Sequence, residues 1–181
     1  MVYVHLADGF EEIEALTAVD ILRRADIPVQ TVSVMDGKTV MGAHNIPVIA
    51  DLLFSEADYD SCEMIVLPGG MPGTANLGRH EGLGKQLAAF ASHGKWIAAI
   101  CAAPSVLGKM SLLKGKRATS FPGVENELIG AEYSEERVVR DGKIVTSRSA
   151  GTAMEFALEL VRLLKDGPTA DALKKSLITP F

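Results

Sequence analysis

One stretch constrains this chain more than any other: Lys95-Trp96-Ile97-Ala98-Ala99-Ile100-Cys101-Ala102-Ala103-Pro104-Ser105-Val106-Leu107. Its first half is a short apolar run without alternation, the pattern of a strand buried on both faces. Its second half reads as a helix with Pro104 in the first turn, where a missing N–H costs least. Cys101 falls at the join. A side chain there stands at the end of the sheet, facing the free N–H groups and positive dipole end of the new helix. That setting is expected to lower a thiol's pKa and favour the thiolate, the nucleophilic form. Ala98, Ala99, Ala102 and Ala103 let other backbone come close. These residues alone fit equally well a buried cysteine acting as a small hydrophobe, so the rest of the chain has to decide.

The same alternation of apolar run and helix recurs along the sequence. Val2 to Ala7 reads as a strand, turned by Asp8-Gly9 into a helix from about Phe10 to Ala25. Val29 to Met35 is a second strand. Asp36-Gly37 reads as a hairpin turn into Lys38-Thr39-Val40-Met41. Ile46 to Ile49 is a short strand, and the polar segment from Asp51 to Ser61 is loop or a single turn. Met64 to Leu67 is a buried strand ending at Pro68-Gly69-Gly70. Helical pattern resumes near Thr74 and again from Glu81 to Ser92, with Gly94 as the stop. Arg117 to Phe121 reads as a strand and Val124 to Ile129 as helical. Arg137 to Arg140 and Lys143 to Ser147 flank Asp141-Gly142, a second hairpin. Thr152-Ala153-Met154-Glu155 reads as a capping box opening a helix to about Lys165, stopped by Asp166-Gly167. A last amphipathic helix covers about Ala170 to Leu177. Short buried strands alternating with helices mean an α/β fold, a parallel sheet covered on both faces, with the two hairpins as antiparallel pieces at its margins.

With 181 residues, one domain spanning 1–181 is expected. A net charge of −5 gives no reason to expect nucleic acid or an anionic membrane as partner. No apolar run is long enough to span a bilayer, and the N-terminus lacks a basic signal-peptide region. Two cysteines, Cys62 and Cys101, do not make a disulfide framework, so a reducing cytoplasm is the expected compartment. Without a histidine cluster beside them they do not make a zinc site either, and no metal is expected. No Gly-x-Gly-x-x-Gly follows the first strand and no Gly-Lys-Ser/Thr loop is present, so no nucleotide cofactor is expected.

In a parallel sheet, ligands bind at the carboxyl ends of the strands. Three stretches should meet there: the turn leading to Glu11, Glu12 and Glu14; Pro68-Gly69-Gly70; and Cys101. Glu14 shares a helix face with the apolar Ala18, Ile21 and Ala25, so it should point inward. Glu12 lines up with Asp20 and Arg23, a solvated face. A buried carboxyl without a cation keeps its proton, and could hydrogen-bond a thiolate or shuttle protons. Gly69 and Gly70 would allow backbone N–H groups to approach a ligand, although simple turn glycines read the same way. His5 reads as a core histidine; His80 and His93 read as solvated. None of these, nor His44, is placed beside Cys101 by sequence, so no Cys-His dyad is expected. Cys62 reads as structural.

Together, Ala7-Asp8-Gly9-Phe10-Glu11-Glu12-Ile13-Glu14, Val19-Asp20-Ile21-Leu22-Arg23-Arg24-Ala25, Val66-Leu67-Pro68-Gly69-Gly70, Ala98-Ala99-Ile100-Cys101-Ala102-Ala103-Pro104 and Val145-Thr146-Ser147-Arg148 with Gly151-Thr152 resemble the ThiJ/PfpI superfamily in its DJ-one branch over nearly the whole length. The resemblance implies a flavodoxin-like three-layer sandwich and a homodimer, with the first helix and Arg24 in the interface. It implies that Cys101 is the elbow cysteine, Glu14 its carboxylic partner, and Gly69, Gly70 and Ala102 the backbone donors. It further implies a cofactor-free enzyme acting on reactive carbonyls, converting methylglyoxal or glyoxal to hydroxy acids or repairing glycated groups. Alternatives within the same resemblance are a sensor of oxidative stress through Cys101 sulfinic acid and a chaperone-like holdase. The chain departs from the protease-like branch, which has a histidine directly after the cysteine; Ala102 stands there and argues against peptidase chemistry. Phe121-Pro122 replaces a histidine-proline pair of the animal branch, which leaves Glu14 as the proton carrier. Met71 stands where a polar residue can occur, which weakens hydrogen bonding to an oxidised Cys101.

Overall fold

Apolar runs with no polar face must be covered on both sides, and the computed structural model, which describes residues 1–181, covers them that way. In chain order the elements are β1 (Val2–Leu6), α1 (Glu12–Arg24), β2 (Val29–Ser33), β3 (Thr39–Met41), β4 (Pro47–Ile49), β5 (Leu52–Leu53), β6 (Met64–Leu67), α2 (Gly73–Arg79), α3 (Glu81–Ser92), β7 (Trp96–Ile100), α4 (Pro104–Lys109), β8 (Arg117–Ala118), β9 (Glu132–Tyr133), β10 (Val138–Asp141), β11 (Ile144–Ser147), α5 (Ala153–Leu164) and α6 (Gly167–Ser176). Seven strands form one sheet in the order β10-β11-β7-β6-β1-β2-β5. All its pairings are parallel except β10 with β11.

Alternate residues of each buried strand feed two cores. Val4 and Leu6 of β1 and Ala98 and Ile100 of β7 face a core completed by Ile21, Leu22, Phe156 and Leu160 from α1 and α5. Tyr3, Ile97 and Ala99 face the opposite one, with Leu77, Leu83, Leu87 and Leu107 from α2, α3 and α4. This is the covered parallel sheet expected from the strand and helix alternation, in the flavodoxin-like three-layer form that the resemblance implies. Because β1, β6 and β7 are adjacent, the turns that follow them lie side by side at one sheet edge.

Several local expectations need correction. Asp36-Gly37 does not form a hairpin: neither residue takes the left-handed backbone that a tight two-residue hairpin turn requires. Instead the Ser33 hydroxyl donates to the Gly37 carbonyl at 2.6 Å, β2 pairs in parallel with β1 and β5, and β3 pairs antiparallel with β4. The segment after Asp51 supplies β5, an edge strand too short to carry a periodic signal. β8 is two residues long and pairs only with β9, and the 124–129 segment is a single 3-10 turn at Glu125–Glu127. The capping box at Thr152 is also absent. The Thr152 hydroxyl turns back to donate to the Ser149 carbonyl at 2.8 Å and meets Ser147 Oγ at 2.7 Å, while Glu155 accepts from Arg137 Nε at 2.6 Å. Asp166 opens α6 rather than closing α5: its carboxylate accepts from the Thr169 N–H at 2.7 Å. The Asp141-Gly142 hairpin, the Gly94 stop at φ +64° and Pro104 at the start of α4 are as expected.

Candidate active site

Cys101 leaves β7 with φ +65°, a left-handed conformation that is uncommon for a residue with a side chain. Two hydrogen bonds hold it there: its N–H donates to the Ser147 carbonyl at 2.9 Å, and its carbonyl accepts from the Phe121 N–H at 2.8 Å. Strain of this kind persists only where the surroundings over-determine it, and it aims the thiol out of the sheet edge. The thiol is partly exposed, whereas Cys62 is buried with its thiol donating to the Met64 carbonyl.

The turn after β6 closes over Cys101 from one side. The Gly69 carbonyl accepts from the Glu11 N–H at 2.9 Å, tying this turn to the start of α1. A side chain at Gly69 has no room: a Cβ there would lie 2.7 Å from Cys101 Cβ and 2.8 Å from Glu14 Oε2. Gly70 takes φ +89°, and a Cβ there would sit 2.4 Å from the Glu11 nitrogen.

Glu14 points inward as its helical register requires, and only 1 % of it is exposed. Its Oε2 accepts from the Gly69 N–H at 2.7 Å, while Oε1 is buried without a hydrogen-bond partner. Burial pushes the carboxyl up to about 7; the Gly69 N–H and the Cys101 thiol work in the opposite direction. The Gly69 N–H therefore orients Glu14 and is not free to face a ligand, which corrects its expected role as a donor. The N–H groups of Ala102 and Gly70 lie near enough to the sulfur to favour its charged form.

The expected lowering of the Cys101 pKa is also corrected. Burial pushes the thiol up, and a negative charge on Glu14 pushes it further; the Ala102 and Gly70 N–H groups pull it back. The following helix has only six residues, so its dipole offers little. Glu14 and Cys101 thus cannot both be ionised comfortably. The thiolate is favoured when Glu14 holds its proton and donates it toward the sulfur, as for any pair of coupled acids in one buried site.

Cys101 opens onto a pocket of about 730 Å³. Met71, Val106, Phe121 and Val124 give it apolar walls, and Gly70 and Ala102 flank the thiol.

Glu12 is not on a solvated face. It is 5 % exposed and its two oxygens accept from the His44 backbone N–H and meet His44 Nδ1, each at 2.8 Å. Gly42 makes this possible, because a Cβ there would collide with the Glu12 carboxylate. Glu11, Glu12 and His44 thus bring three groups of metal-ligating type within 4.8 Å of one another, with Glu12 already satisfied by His44. His44 joins segments 32 residues apart, and no local pattern announces that pairing. His5 is buried with Nε2 at 2.7 Å from the Tyr59 hydroxyl, and the half-buried His80 accepts from the Leu83 N–H at the start of α3.

The model of the DJ-1/PfpI family matches residues 1–163. The protein dj-1beta of Drosophila melanogaster is 36% identical over 181 residues, covering 98% of this chain and 96% of that one. A Pyrococcus abyssi protein named as a deglycase is 34% identical over 162 residues, covering 88% of this chain and 96% of that one. Among solved structures, oxidized Toxoplasma gondii DJ-1 superposes with a TM-score of 0.95 at 36% identity, covering 99% of this chain and 98% of that one. With a matching family model, relatives of near-equal length and the same fold, this chain belongs to the DJ-1/PfpI family.

Proposed function

We propose that this protein is a cofactor-independent enzyme that converts reactive dicarbonyls such as methylglyoxal to hydroxy acids, with glycated groups as a related substrate class. The observation that carries this reading is the pairing of a strained, accessible Cys101 with the buried Glu14, whose carboxyl is poised near neutrality. Cys101 adds to the aldehyde carbon, giving a hemithioacetal. Glu14 takes the proton from that carbon and returns it to the neighbouring carbonyl carbon, so the aldehyde is oxidised and the ketone reduced within one molecule. The resulting thioester is hydrolysed by water, releasing the hydroxy acid and the free thiol. The N–H groups of Gly70 and Ala102 are suited to stabilise the developing oxyanion. The relative named as a deglycase supports the carbonyl class.

D-lactate production from methylglyoxal, without added thiol or metal, tests this reading on the native protein, Cys101→Ser and Glu14→Gln. Loss of activity in both variants is expected. Full turnover by Cys101→Ser, or none by the native protein, overturns it.

A second reading, redox sensing through Cys101 sulfinic acid, is favoured by the accessible thiol between two backbone donors and by a relative whose structure is of an oxidized form. Under mild peroxide, intact mass should then show two added oxygens on Cys101 before any methionine reacts. Assembly as a homodimer is supported by Ile13 and Leu16 on α1 and Ile46 and Ile49 on the hairpin docked beside it, all exposed apolar side chains. Sedimentation of the native protein against Ile13→Glu reads it.

A further inference from the structure

Met71 is the most exposed of the chain's seven methionines, at 64 %. Met64 is buried, and Met1, Met35, Met110 and Met154 are half-buried. Met41 is exposed too, but it lies on β3, outside the pocket. Met71 therefore joins two properties that no other methionine combines: an open thioether and a place in the wall of the Cys101 pocket. The turn that carries it is fixed. The Gly69 carbonyl accepts from the Glu11 N–H and the Gly70 carbonyl from the Thr74 N–H, each at 2.9 Å. From that anchor, the rotatable bonds of the side chain let the thioether swing across the pocket mouth.

The two sulfurs meet an oxidant differently. A thiol reacts through its thiolate, and burial beside Glu14 pushes the Cys101 thiol up to about 12. A thioether has no proton to lose, so Met71 is open to a hydroperoxide at any pH, and its sulfoxide can be reduced back. Next to Cys101, the Glu14 carboxyl holds a proton that it can transfer near neutrality.

We propose that Met71 is an oxidation site that passes oxygen on to Cys101: a hydroperoxide converts its thioether to the sulfoxide, and the Cys101–Glu14 pair reduces that sulfoxide back to methionine. The relay uses the thiol and carboxyl of the dicarbonyl reading but needs no dicarbonyl turnover. In the first step the O–O bond breaks, one oxygen goes to the Met71 sulfur, and the peroxide leaves as water or an alcohol. In the second, the Cys101 thiolate bonds to the sulfoxide sulfur while Glu14 protonates its oxygen. The hydroxyl then passes to the cysteine sulfur as the bond between the two sulfurs breaks. The products are the Met71 thioether, Cys101 sulfenic acid and the Glu14 carboxylate. Met71 gains two electrons and Cys101 loses two.

The second step can be isolated. Cys101 of the native protein is capped with methyl methanethiosulfonate, Met71 is oxidised with hydrogen peroxide, and the peroxide is removed. Dithiothreitol then uncaps the thiol and returns any sulfenic acid to it, while peptide mass spectrometry follows the oxygen on Met71. The Met71 sulfoxide should disappear with first-order kinetics at a rate independent of protein concentration. It should persist in Cys101→Ser under the same dithiothreitol, and in native protein kept capped without reductant, a control that involves no substitution. Glu14→Gln, which has no acidic proton to give, should slow the loss by about a hundredfold. A sulfoxide that lasts as long in the uncapped native protein as in Cys101→Ser overturns the relay, as does an equal loss from both. Sulfoxide loss without methylglyoxal turnover overturns the dicarbonyl reading alone; turnover with a persistent sulfoxide overturns the relay alone.

Discussion

Glu14 and Cys101 meet beneath Gly69, whose N–H donates to Glu14 Oε2 at 2.7 Å and whose missing side chain leaves the space that the cysteine Cβ needs. The contact joins α1 to the end of β7 through the turn after β6. It places a carboxyl that is 1 % exposed against the one thiol that reaches solvent. Neither group would have its present acidity without the other.

Glu14 carries a pH signature. Burial raises its carboxyl from the ordinary 4.5 to about 7 in the folded chain, so between these values the native state holds a proton that the unfolded state has lost. Stability therefore falls as pH rises through that window, by on the order of 3 kcal/mol. Urea denaturation of the native protein and of Glu14→Gln from pH 4.5 to pH 8 should show this extra slope only in the native protein. Parallel curves would show that burial does not set the Glu14 titration.

Gly69→Ala should cripple the site without unfolding the chain. The added methyl must displace Cys101 Cβ, Glu14 Oε2 or both. A displacement near 1 Å at reacting groups costs about a hundredfold in rate, read here as D-lactate production. Gly84→Ala on α3, where a Cβ meets nothing within 4 Å, is the matched control. It should keep full activity and gain about 0.5–1 kcal/mol of stability from helix propensity.

His44 should titrate above its ordinary value because the Glu12 hydrogen bond, with the charges of Glu11 and Glu12, favours its protonated form. A raised histidine pKa means that the clamp between α1 and the β3–β4 hairpin is complete in acid and weakens as pH rises through the folded-state value. An imidazole NMR titration reads this directly. Glu12→Gln should bring His44 back toward 6.5, and an unchanged His44 titration in that variant would disprove the pairing.

The network at the start of α5 separates the expected cap from the observed one. Thr152→Val should cost about 1–2 kcal/mol, because it strips partners from the buried Ser147 hydroxyl and from the Ser149 turn. Glu155→Ala should cost less than Thr152→Val, since it breaks a single ion pair whose Arg137 end is exposed. Thermal unfolding of both variants checks the order; a larger loss for Glu155→Ala would reinstate the capping box.

Much of the fold is legible along the chain because its signals are local. Apolar runs at Val2, Met64 and Trp96 become the strands that meet at the site. Pro104, Gly94 and Asp141-Gly142 act through backbone sterics within a few residues, and they sit where those sterics demand. The inward register of Glu14 follows from helical periodicity alone, and the carboxyl is buried as that register requires. Only the tertiary structure decided which strand ends become neighbours, and with them that the Gly69 N–H is consumed by Glu14 and that β3 pairs with β4. It alone placed His44 on Glu12 and Met71 in the wall of the pocket at Cys101. The physical reason is one of range. Propensity, periodicity and turn chemistry act over a few residues. The acidity of the thiol and carboxyl, the fate of each N–H and the shape of the pocket are set by groups tens of residues apart, whose distances exist only once the sheet has closed.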